Sequence, residues 1–153
     1  MAHSLIIRIG KFCGWLLIAL VVVQFTVVLA RYLFHINYLW GQEIALYLHG
    51  AIFMLSAGWS LLAEKHVRLD VLSERFEIAK RRRIELFGTV FLLLPMMGLI
   101  IFTSVGYVWE SWSILESSPE ISGLGGRYLV KTLIPVFGLL MVLAAITKLK
   151  RLP

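Results

Sequence analysis

A single cysteine, Cys13, stands in 153 residues, which excludes an internal disulfide and a cysteine-based metal cage. It lies in an apolar run, where a thiol packs as a small hydrophobe. Charge is also scarce: 16% of the residues are Asp, Glu, Lys or Arg, against about 25% in a soluble domain. The chain has no phosphate loop, nucleophile elbow or metal-spaced cluster, and no internal repeat. Its apolar stretches lack the interrupted, polar segments that line a solute path. Catalysis and unaided transport both want groups that are absent, so a partner is implied.

What the sequence has instead is hydrophobicity. Apolar residues make up 59% of the chain and mean hydropathy is +0.86, which points to lipid as the main solvent. The net charge of +6 does not indicate nucleic acid, because that needs a basic face on a soluble fold. Here the cations lie between and beside apolar blocks.

Four charge-free stretches stand out: 12–30, 44–63, 86–109 and 132–147. Crossing the hydrocarbon takes about 20 helical residues. The first three stretches are long enough, and the fourth becomes so with Tyr128, Leu129 and Val130 added and Lys131 snorkelling to the headgroups. The expected fold is an all-α integral membrane protein, a single membrane domain over 1–153 with four transmembrane helices, at about 12–33, 42–63, 86–109 and 128–147. Val28-Leu29-Ala30 resembles a signal-peptide cleavage site, but the apolar core of such a signal is about 7–15 residues. The first span therefore reads as an uncleaved anchor. Pro95 should kink span three, while Pro135 falls in the first turns of span four, where proline is tolerated.

Lys and Arg counting sets the orientation. Twelve cations, from Arg8 and Lys11 through the segment 65–83 to Lys148, Lys150 and Arg151, fall on one side. Only Arg31, Arg127 and Lys131 fall on the other. Both termini and the central loop are therefore expected in the cytoplasm. Aromatic residues gather at the opposite interface, Trp40, Trp109, Trp112 and Tyr128 among them, with Trp15 and Trp59 at the inner one. Between spans two and three, Leu72, Phe76 and Ala79 recur at helical spacing while Arg68, Arg75 and Arg82 occupy another face. That pattern predicts an amphipathic interfacial helix over about 70–85, with the run Lys80-Arg81-Arg82-Arg83 against anionic headgroups. The turn formers of 117–126 mark a true loop between spans three and four.

Polar groups inside spans are functional candidates by default. His49 reads first as a neutral imidazole bonded to a neighbouring helix, with a proton-relay or metal role lacking the other ligands. Glu43 opens span two near Arg31, as a local ion pair or helix-N-terminal carboxylate, or as a contact for another subunit. Glu110, Glu116 and Glu120 read as solvated loop charges or as an acidic docking surface.

Taken in order, several segments resemble one family. They are Trp40-Gly41-Gln42-Glu43, Tyr47-Leu48-His49-Gly50-Ala51, His66-Val67-Arg68-Leu69-Asp70, Arg82-Arg83, Leu86-Phe87-Gly88 and Leu93-Leu94-Pro95, then Glu116-Ser117-Ser118-Pro119 and the run from Arg127 to Pro135. The set is similar to the small permease subunits of tripartite ATP-independent periplasmic (TRAP) transporters, the DctQ type. The outer loop departs from that family, because two prolines usual before the Arg127-Tyr128 pair are missing.

The resemblance implies a non-catalytic scaffold in a bacterial inner membrane, bound to a large permease subunit. A periplasmic substrate-binding protein would deliver an organic acid, and the large subunit would move it on a sodium gradient. It implies no cofactor in this chain, subunit or lipid contacts at Glu43, His66, Arg68, Asp70, Arg82 and Arg83, and binding-protein docking at Glu110, Glu116 and Glu120. The rival is a membrane anchor for a redox enzyme, which would need haem ligands on facing helices.

Overall fold

Hydrocarbon accepts no hydrogen bonds, so an apolar segment that crosses it alone must close its backbone on itself as a helix. The computed structural model describes residues 2–63, 78–120 and 122–150. They form α1 (Ala2–Phe34), α2 (Leu39–Leu62), α3 (Ile78–Phe87), a π-helical stretch (Gly88–Leu93), α4 (Leu94–Ser113) and α5 (Arg127–Leu149). Four stretches are long and apolar enough to cross a membrane: His3–Phe34, Leu39–Leu62, Arg82–Ser113 and Arg127–Leu149. Among the described residues there is no strand, only one antiparallel bridge between Ser117 and Gly125.

The helices overrun the apolar limits at several ends, because a hydrogen-bond ladder continues past the hydrocarbon edge until something stops it. At the end of α1 the stop is His35, which takes a left-handed φ of 54° while Ile36 N–H returns to Ala30 O at 3.2 Å. The expected interfacial helix falls only partly within the described residues. Its described part, from residue 78, is helical but runs without a break through the π-helical stretch into the third span. The remainder, 70–77, and the contacts expected at His66, Arg68 and Asp70 lie outside the described residues.

Pro95 acts through that π-helical stretch. It has no N–H to donate, and the backbone just ahead of it is wound wider, with Leu94 N–H reaching back five residues to Thr89 O. The irregularity expected from the proline is absorbed as a π-bulge instead of a break. Pro135 lies deeper than the first turns, inside α5.

The rods pack in the order α1, α2, α5, α4, so the last helix sits in the middle of the row. The best-buried cluster lies at the end that carries the termini, where Ile6, Leu61, Met97, Met141, Ala144 and Ala145 meet. Lys148 and Glu85 form an ion pair at the same end. Small residues bring the backbones together, as expected where apolar attraction between helices is weak in lipid. A Cβ on buried Gly58 would stand 3.1 Å from the Leu140 carbonyl oxygen. Elsewhere the rods expose large apolar side chains, with Phe102 82% and Trp109 77% exposed. In water such surfaces mark association or aggregation; here they face lipid or a partner.

Candidate functional site

Among the described residues, a dense set of polar contacts lies at the other end of the row, around the loop from Ile114 to Gly126. Glu43, in the first turns of α2, reaches into this loop. One carboxylate oxygen accepts the Ser118 hydroxyl, and the other accepts Leu124 N–H at 2.5 Å. The ion pair expected with Arg31 does not form among the described residues, and Arg127 is the cation in whose field Glu43 sits.

The loop closes on itself to meet that carboxylate. Ser118 N–H donates to Leu124 O at 3.1 Å, Gly123 N–H to Glu120 O at 3.0 Å, and Arg127 N–H to Glu116 O at 3.1 Å. These bonds and the Ser117–Gly125 bridge tie the loop to itself. Gly123 is required by space: a Cβ there would collide with the Ser118 side chain and come within 3.0 Å of Glu43 Oε1. At Gly126, which caps α5, a φ of 101° calls for glycine on conformational grounds.

Glu116 is the second anchor. Leu115 before it takes a left-handed φ of 46°, uncommon for a residue with a branched side chain. Glu116 N–H then returns to Ser111 O at 3.0 Å. Its carboxylate accepts the Lys131 ammonium and the buried Ser111 hydroxyl at 2.7 Å, with Arg127 3.9 Å away. Lys131, expected to snorkel to the headgroups, pairs with Glu116 of the loop and lies 4.0 Å from the centre of the Tyr107 ring. Beside it, Trp112 Nε1–H donates to Thr132 Oγ1 at 2.9 Å, and Trp112 stands edge-on to Tyr128 at 4.6 Å.

Glu116 is therefore a tethered group, while Glu110 and Glu120 are exposed. Arg82 and Arg83 are exposed on α3. His49 is exposed on α2 without the interhelical hydrogen bond expected of it, among the described residues. Sequence reasoning missed Ser111, Ser118 and Lys131. The available signal was a carboxylate and a lysine at opposite ends of one tight loop.

Both carboxylates are occupied by fixed donors, so they serve as tethers that join α2, α4 and α5 through the loop. The Lys131 ammonium, and next the Ser111 hydroxyl, hold the Glu116 carboxyl below its ordinary value of 4.5. A depressed value means the tether contributes its full stability above pH 4.5 and loses it as pH falls through the lowered value. We expect the difference in thermal stability between the wild type and Glu116→Gln to hold constant from neutrality to about pH 5. It should shrink on further acidification; a difference that instead shrank as pH rose from 5 to 8 would contradict the tether.

Residues 20–152 match the family described as "Tripartite ATP-independent periplasmic transporters, DctQ component". None of the curated proteins matches the chain significantly.

Proposed function

Because the chain belongs to the DctQ component family of the tripartite ATP-independent periplasmic transporters, we propose that it is the small scaffold subunit of a sodium-coupled importer of an organic acid. The solute is delivered by a periplasmic binding protein and moved by a large permease subunit, which also handles sodium. This subunit holds a fixed platform in the bacterial inner membrane and needs no cofactor of its own. The family is one of transporter components and not of enzymes.

One observation carries the scaffold role. Among the described residues, the buried polar side chains are Ser104 and Ser111 alone, while intramembrane transport paths are lined by polar or ionisable groups. The cation bias places both termini and the 64–85 segment in the cytoplasm, and hence the loop tethered by Glu43 in the periplasm. Exposed Glu110 and Glu120 then face the binding protein. Arg82 and Arg83 meet anionic headgroups on the inner side, and His66, Arg68 and Asp70 serve as further subunit or lipid contacts.

Two measurements test this reading. The large permease subunit is expected to co-purify with the tagged small subunit from mild detergent. Single cysteines introduced in a Cys13→Ser background should label from outside at position 118 and not at position 75. Strong outside labelling at 75 with none at 118 would invert the topology.

A further inference from the structure

An open groove of about 630 Å³ runs between α1 and α2. Gln24 and Arg31 line it from α1, and Gln42, Leu46 and His49 from α2. Gln24 and Arg31 are seven residues apart, as are Gln42 and His49, so each helix gives the groove a single face. The groove lining is mostly apolar, and most of the polar groups set into it are unanswered. Gln42 donates to Asn37 Oδ1 at 2.7 Å. Gln24, Arg31 and His49 are exposed and have no hydrogen-bond or ion-pair partner among the described residues.

Depth decides what can cover these groups. Two contacts set the antiparallel register of the pair: Gly41 lies against Val27, and Gly10 against Trp59. That register puts His49 level with Ala19 and Leu20, near the centre of the charge-free run 12–30. Leu20 lines the same groove. At 1.5 Å per residue, Arg31 lies about 17 Å nearer the loop end. A phospholipid headgroup held by Arg31 at the membrane surface cannot reach His49, and acyl chains offer neither His49 nor Gln24 a partner. Polar side chains at this depth pair with other helices.

We propose that the groove seats a transmembrane helix of the large permease subunit, one that presents hydrogen-bonding side chains to His49 near the midplane and to Gln24 nearer the loop end, and an acceptor to Arg31 at the membrane edge. The docking site presupposes the small-subunit reading. The partner helix hydrogen-bonds to groups that the bare subunit leaves in hydrocarbon, and Leu46, 65% exposed, packs on its apolar side.

The test uses the co-purified complex, with a photo-crosslinking amino acid at position 46 or 49 of the small subunit. Irradiation in native membranes is expected to join both positions to the large subunit. The double variant Gln24→Leu, His49→Leu should reach the membrane in normal amount, since both side chains lie on an exposed face. It should recover about tenfold less large subunit, the loss expected from two intramembrane hydrogen bonds. Crosslinks only to lipid or to a second copy of this chain, or undiminished recovery by the double variant, would overturn the docking site while leaving the small-subunit reading intact. Failure of the wild-type small subunit to retain any large subunit would overturn both.

Discussion

In Glu43→Ala, amide exchange across the 116–126 loop should rise by about tenfold, with the largest change at Leu124. The substitution removes one carboxylate and leaves two donors, Leu124 N–H and the Ser118 hydroxyl, with nothing to accept them. Those donors then turn to water, and the loop is no longer held to α2. Glu43→Gln should fall between, since an amide oxygen can accept one of the bonds while its NH₂ faces a donor. Gly123→Ala should produce the same release from the other side, because the new methyl must displace the Ser118 side chain. Exchange measured by mass spectrometry in detergent micelles gives the answer, and the helices serve as the internal reference. Unchanged exchange in Glu43→Ala would mean that the loop holds itself and that the tether is incidental.

Gly58→Leu should cost about 3 kcal/mol of stability, the upper end of what overpacking costs. The group in the way is a main-chain carbonyl of α5, 3.1 Å from where the Cβ would stand, and no rotamer change can clear it. The helices must separate instead, and α5 is the helix on which both α2 and α4 pack. Gly58→Ala should show a smaller loss in the same direction. Gly98→Leu is the control, since nothing lies within 4 Å of the Cβ position there, and it should be nearly silent. Thermal unfolding in detergent distinguishes them. Equal behaviour of the two leucine variants would remove the close α2–α5 approach as a source of stability.

The spans were legible because hydrocarbon imposes the same demand on every segment that crosses it. Each must be apolar and close its own hydrogen bonds, and both demands show in local sequence. Helix ends were less legible. Hydropathy marks the lipid boundary, whereas α1 stops at His35, where the backbone turns left-handed, and the third rod begins well before residue 86. Pro95 reads as a kink, and the irregularity it brings takes the form of a π-bulge ahead of it, since both begin from the same missing N–H.

The loop-end tethers were hidden for a different reason. Glu43 and Ser118 are 75 positions apart, and no periodicity connects them. Glu116 and Lys131 are only 15 apart, but their pairing depends on Leu115 turning the chain back over α4. His49 was legible as a polar group inside a span, one that reads as bonded to a neighbouring helix, and among the described residues no helix of this chain supplies that bond. The row of helices leaves its side of α2 exposed.

Uptake of radiolabelled organic acid into proteoliposomes, with components omitted one at a time, tests the central claim most directly. The small subunit alone should give no uptake above empty vesicles. Transport should appear only with the large permease subunit, the cognate binding protein and an inward sodium gradient all present. Omitting the small subunit from that set should abolish or sharply reduce it. Substrate-dependent uptake by the purified small subunit alone would contradict the scaffold role outright.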